Sequence, residues 1–150
     1  MKDLSNKRNQ VKDFKRIILP VDGSAYSRRA AKKAFAIGKK TGIDVLAIYV
    51  VENPPVYPEM AGWYPEIIES TKRYGLSILD EIEKMGSKVG IHVITKLKEG
   101  RPDQEIIKEA RKNDLIVMGC KGRSGLSSIL VGSVCEKVFH HSSSPVMVVR

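Results

Sequence analysis

Glycines are the residues in this chain whose spacing suggests chemistry. From Met118 to Val134 the sequence reads MGCKGRSGLSSILVGSV, with two residues between Gly119 and Gly122, nine between Gly122 and Gly132, and Ser133 directly after. The apolar run Leu115 to Met118 ahead of it has strand character, and Ser133, Cys135, Val138 and Phe139 behind it lead into a helical pattern. Glycine lets the main chain turn tightly and lets a ligand approach it, and the unpaired N–H groups of a helix start attract anions. The chemistry on offer is the holding of nucleotide phosphates; the same glycines also suit a surface loop. Ser133 and Glu136 have capping-box spacing, which starts a helix right after Gly132 and aims the amides of residues 133 to 135 at the loop. Lys121 and Arg123 add positive charge there. A capping box by itself requires no ligand.

Asp22 is the second candidate. It follows the run Ile17, Ile18, Leu19, Pro20, Val21, which reads as a strand buried on both faces and ending at Pro-Val-Asp-Gly-Ser. Its carboxylate suits a sugar hydroxyl or an adenine amino group, and equally the capping of the turn before the next helix. Cys120 and Cys135 are too few for a disulfide framework and lack zinc spacing, so they read as free thiols. Cys120 beside Lys121 and Arg123 is a candidate redox sensor, or else an inert buried thiol. His92, His140 and His141 are scattered and carry no assigned chemistry. The stretch from Gly119 to Ser133 contains no acid and no histidine, and no Gly-Lys-Ser/Thr triplet follows its glycines. Binding is therefore favoured over turnover, with no catalytic residue assigned. The alternative is a slow nucleotide hydrolase or a nucleotidyl or phosphoryl transferase using Asp22 or Ser24.

The elements that must position these groups alternate. The first strand, opened by Arg16 and running to Val21, is followed by a helix over Ser27 to Lys40, stopped by Thr41-Gly42. Val45 to Val51 makes a second strand. A proline-rich loop with Tyr57, Trp63 and Tyr64 comes next; its aromatics suit a partner, a cover over a ligand, or packing over the sheet edge. Ile68, Thr71, Gly75, Ile78, Ile82 and Met85 mark a long amphipathic helix whose end Gly86 and Gly90 punctuate. His92 to Leu97 reads as a more polar edge strand, and Pro102 opens a helix through Ile106, Ile107 and Ala110. Leu115 to Met118, a short helix through His141, and Val146 to Val149 complete the succession. Strand and helix repeated four times, then a strand, predict an α/β fold: a five-stranded parallel sheet with helices on both faces. Ligands bind such sheets at the strands' carboxyl ends where strand order reverses, so Asp22 would face the glycine segment if strands one and four are neighbours.

Bulk composition narrows the classes. A chain of 150 residues, 42% hydrophobic and 29% charged, can bury its own core as one domain. The expected division is a polar, basic tail over residues 1–15 and a single domain over 16–150. No apolar run approaches the roughly 18 residues of a membrane span, and no secretory pattern opens the chain, which makes the cytoplasm the expected location. The net charge of +9 raises nucleic acid, anionic membrane and phosphate-bearing ligands as partners. Its spread over the tail and helix faces, without a recognition-helix motif, reads as a solvated surface, so no membrane and no specific nucleic acid is expected.

The spaced Gly119, Gly122 and Gly132-Ser133, together with Pro20-Val21-Asp22-Gly23-Ser24 ending the first strand, resemble the universal stress protein family, in its ATP-binding subclass. The likeness extends from Arg16 to the closing Ser-Pro-Val-Met-Val-Val-Arg. It implies a sheet ordered 3-2-1-4-5, the Rossmann-like adenine nucleotide alpha hydrolase-like fold, and a nucleotide-dependent stress-response regulator. It also implies ATP as ligand, with AMP or ADP as alternatives and Mg²⁺ or Mn²⁺ held mainly by phosphates. By position, Pro20, Val21 and Asp22 would line the adenosine side, and Val50 would meet adenine through its backbone. Gly119, Gly122, Gly132, Ser133 and Val134 would surround ribose and phosphates, with Met118 and Arg123 completing the set. The family further implies a homodimer through the final strand, and Val146 to Val149, apolar and at a sheet edge, would independently invite pairing. The basic tail and the segment from Glu52 to Tyr64 have no counterpart in the motif.

Overall fold

The computed structural model describes residues 14–121 and 131–150. Five strands and four helices alternate: β1 (Arg16–Pro20), α1 (Ala25–Thr41), β2 (Asp44–Val51), α2 (Tyr64–Lys88), β3 (Val93–Glu99), α3 (Pro102–Glu109), β4 (Asp114–Gly119), α4 (Ser133–His141) and β5 (Val146–Val149). A 3-10 helix, Pro58–Trp63, leads directly into α2. All strand pairs are parallel, in the order β3-β2-β1-β4-β5. This is the doubly wound sheet expected from the sequence, and strand order reverses between β1 and β4.

The alternation of side chains along each strand divides the core in two. Ile17, Leu19, Val45, Ala47, Tyr49 and Val117 pack under α1 and α2, while Ile18, Leu46, Ile48, Ile116 and Met118 pack under α3 and α4. Strands buried on both faces cannot alternate polar with apolar residues, which is why β1 and β2 read as unbroken apolar runs. β3 lies at an edge and exposes Ile94, Thr95 and Lys96.

Helix α1 starts and stops as its sequence dictates. The Ser24 side chain accepts the Ser27 N–H, and Gly42, left-handed at φ 69°, donates its N–H to the Gly38 carbonyl. For α2 the expected end holds at Gly90, left-handed at φ 77° just past the C-cap, and is corrected at Gly86, which lies inside the helix as it runs on to Lys88. A side chain at Gly86 would collide with Val93, and one at Gly75 would lie 2.5 Å from the Tyr49 ring. These glycines let a long helix sit close on β2 and β3. The expectation that the loop aromatics pack over the sheet edge also fails, since Tyr57 and Trp63 are 57% and 65% exposed. At the amino end of the sheet, Phe14 packs against the core and Lys15 donates its N–H to the Asn113 carbonyl.

Candidate functional site

At the carboxyl ends of β1, β2 and β4 the sheet opens into a cleft of ≈ 800 Å³. Pro20, Val21 and Asp22 enter it from β1, Val50 with Glu52, Asn53, Pro54 and Pro55 from β2, and Met118, Gly119 and Lys121 from β4. Gly132, Ser133, Val134 and Cys135 close one side, Pro102 and Ile106 of α3 and Ile67 and Thr71 of α2 the others. Nine of the residues expected from the sequence therefore meet in one place; the other two, Gly122 and Arg123, lie outside the described residues.

The chain has local reasons to be shaped this way. Asp22 Oδ1 accepts the Ser24 N–H at 2.9 Å, so the carboxylate braces the turn into α1 while bordering the cleft. The hydrogen bond to Ser24 is the capping role expected for Asp22. Across the cleft, Gly132 donates its N–H to the Cys120 carbonyl at 2.7 Å and joins the two stems of the glycine segment. Its own carbonyl accepts the Glu136 N–H at 2.9 Å, the first intrahelical bond of α4. The helix starts right after Gly132, as the sequence indicates, but by another device: Gly132 itself is the N-cap, with no side-chain cap, and Ser133 is the first helical residue. The amides of Ser133, Val134 and Cys135 thus have no intrahelical acceptor and belong to residues that line the cleft.

Gly119 serves packing as well as the cleft. A side chain there would come within 2.7 Å of the Tyr26 carbonyl carbon and 3.0 Å of the Ser27 nitrogen. Its bareness lets the start of α1 lie against the end of β4, with the Ser24 hydroxyl 3.5 Å from the Lys121 carbonyl. Both cysteines are buried. Burial, with nearby Cys120 adding to it, pushes the Cys135 thiol up to about 11, which keeps it protonated at neutral pH. Such a thiol is a packing residue rather than a nucleophile. Among the described residues no three histidine, cysteine or carboxylate side chains gather to hold a metal.

Sequence reasoning missed the α2 and α3 walls and the Glu52 to Pro55 rim. The rim follows the carboxyl end of β2, and that position was a usable signal. Ile67 and Thr71 carried none, because their place depends on how α2 leans over the sheet. Arg28 was missed too: it donates to the Gly23 carbonyl and forms a two-pronged pair with Glu81, with Nε to Oε1 at 2.6 Å and Nη2 to Oε2 at 3.0 Å, tying the Asp22-Gly23 turn to α2.

Fold and cleft together define a doubly wound α/β protein whose main cleft lies at the reversal of strand order, with a helix N-terminus opening on it. The chain belongs to the universal stress protein family, whose model matches residues 13–150. It is 41% identical over 146 residues to a universal stress protein of Methanocaldococcus jannaschii, MJ0531, covering 95% of this chain and 86% of that one. Among solved structures, the universal stress protein UspA of Lactobacillus plantarum superposes with a TM-score of 0.82 at 23% identity, over 91% of this chain and 98% of that one. Two further members of the fold are described as complexes. One is a universal stress protein with cAMP (TM-score 0.64, 24% identity, 91% and 97% covered). The other is that of Archaeoglobus fulgidus with dAMP (TM-score 0.63, 19% identity, 91% and 98% covered).

Proposed function

We propose that this protein binds an adenine nucleotide, ATP in first place, in the cleft between β1 and β4, and acts as a nucleotide-dependent regulator in the stress response rather than as an enzyme. One observation carries the reading. The start of α4, Gly132 to Cys135, opens into the same cleft that Asp22 borders at the end of β1. A helix N-terminus offers aligned donors and roughly half a positive charge to phosphates, and Lys121 adds a cation at the rim. Pro20, Val21, Asp22 and Val50 form the adenosine side, Met118, Gly119, Gly132, Ser133 and Val134 the ribose and phosphate side, with Gly122 and Arg123 on the connecting segment. Mg²⁺ or Mn²⁺ would be held mainly by the phosphates. The nucleotide-bound relatives agree with this class of ligand.

Turnover is not part of the proposal, because the acid and the hydroxyl that the enzyme alternative would use already have structural work. Asp22 braces the turn and Ser24 caps α1. The protein is further proposed to form a homodimer through β5. Mass spectrometry of the denatured protein and calorimetric titration with ATP and Mg²⁺ test the ligand, and steady-state phosphate release tests the regulator against the hydrolase. Bound nucleotide or ATP affinity without multiple turnover is expected. Absence of both, or sustained phosphate release, overturns the reading.

A further inference from the structure

Helix α1 differs from the other helices in its charge. It carries Arg28, Arg29, Lys32, Lys33, Lys39 and Lys40 and no acidic residue. Arg28 is engaged with Glu81, but the other five are exposed, and among the described residues none of the five forms an ion pair. At 100° per residue they share about 120° of arc and span roughly 16 Å of helix axis. The exposed residues between them, Ala25 and Ala36, add nothing that would screen the charge.

Lys39 and Lys40, in the last turn, complement the helix dipole, but local stability alone would not select the rest of this face. Arg29 repels Lys32 and Lys33 at spacings of three and four residues, and the first turn lacks the acid that the helix dipole favours. The neighbouring α2 follows the usual rule, interleaving five acids with four bases and pairing Lys84 with Asp80 and Lys72 with Glu69. Departures from local rules without a local gain mark functional surfaces. We propose that the outer face of α1 binds the phosphate backbone of a nucleic-acid duplex without reading its sequence.

The side chains select the partner. Lysine supplies four of the five charges as mobile point cations rather than planar forks, and the Asn, Gln and acidic side chains that read adenine and cytosine edges are absent from the arc. A duplex carries one charge per ~1.7 Å of axis, dense enough to face all five at once. An anionic membrane fits less well. Helices that lie in a bilayer interface insert an apolar face, whereas the apolar residues of α1, Ala30, Ala31, Ala34 and Phe35, are buried against the sheet. The surface is independent of the nucleotide cleft, so either proposal can fail alone.

The test is fluorescence anisotropy of a labelled mixed-sequence DNA duplex with the full-length protein between 50 and 200 mM salt. The comparison is a variant carrying Lys32→Gln, Lys33→Gln, Lys39→Gln and Lys40→Gln. Each phosphate that is no longer neutralised lowers the steepness of log K against log salt by about 0.9, so the variant's slope should be shallower by about 3.6. Over this salt range the parent's affinity should then fall by about 150-fold more than the variant's, with a duplex of unrelated sequence behaving alike. Where the fourfold variant fails to show the parent's circular dichroism, the Lys32/Lys33 and Lys39/Lys40 double variants take its place, each expected to lower the slope by about 1.8. No duplex binding at 50 mM salt overturns the proposal. So do equal slopes, which would move binding to the basic N-terminal residues, and so does capture by phosphatidylserine vesicles without capture by duplex.

Discussion

Single residues in this molecule are fixed by contacts that a helix or strand label does not convey. Gly119 is bare because Tyr26 and Ser27 occupy the space its side chain would need. Gly119→Ala forces backbone apart at the junction of β4 and α1, and overpacking of this kind costs about 1–3 kcal/mol. A lowered denaturation midpoint in urea at an unchanged m-value is the expected result. Glu109 shows a different constraint. Burial raises its pKa, but hydrogen bonds from Lys96 and Lys98 outweigh burial, so the carboxyl sits below the usual glutamate range. A group with a lowered folded pKa stabilises the fold above its unfolded pKa, and that contribution disappears as pH falls through the folded value. The difference in melting temperature between the parent and Glu109→Gln should therefore be present at neutral pH and close below the ordinary glutamate pKa. A constant difference down to strongly acid pH would show that the ion cluster contributes nothing.

The elements show what the sequence could convey. The unbroken apolar runs of β1, β2 and β4, the Gly42 stop of α1 and Pro102 at the start of α3 were all legible, since each follows from residues within a few positions of one another. Gly86 reads as a stop because glycine often ends helices, but here its bareness serves Val93, seven residues on and in another element. Helix α4 likewise starts at the expected place, yet Gly132 rather than Ser133 holds the N-cap. The edge of β5 carries its own prediction. Pro145 and Val149 accept bonds from Ile116 and Cys120 of the β4 side, so by alternation Val146 and Val148 turn their backbone groups to the open edge. Val148→Pro removes an outward donor and leaves the β4 ladder in place. Light scattering after size exclusion should show a dimer for the parent and a monomer for the variant; a dimer in both would place the interface elsewhere.

At the scale of the whole molecule, the site exists because the sheet changes winding direction between β1 and β4, bringing together residues about a hundred positions apart. Asp22 and the glycine segment announced themselves through residue type, and the alternating pattern of elements placed them at the same end of the sheet. The walls supplied by Ile67, Thr71, Pro102 and Ile106 depend on helix tilt, which no local pattern encodes. No helix among the described residues is long and apolar enough to cross a membrane, and the charge is concentrated on α1, away from the interleaved charges of α2. The start of α4 is proposed to hold nucleotide phosphates, and Ser133→Pro tests this directly. Proline is at home at the first helical position, and Gly132 at φ −64°, ψ 149° already has the extended backbone that a residue before proline adopts. The substitution removes one amide donor and leaves the helix intact. Calorimetric titration of the parent and Ser133→Pro with ATP and with adenosine is the decisive measurement. Removal of a charge-assisted hydrogen bond worth about 1.5–3 kcal/mol predicts ATP affinity weaker by about 10- to 150-fold, with adenosine affinity unchanged. Equal ATP affinity in a folded variant, or a parallel loss for adenosine, would contradict it.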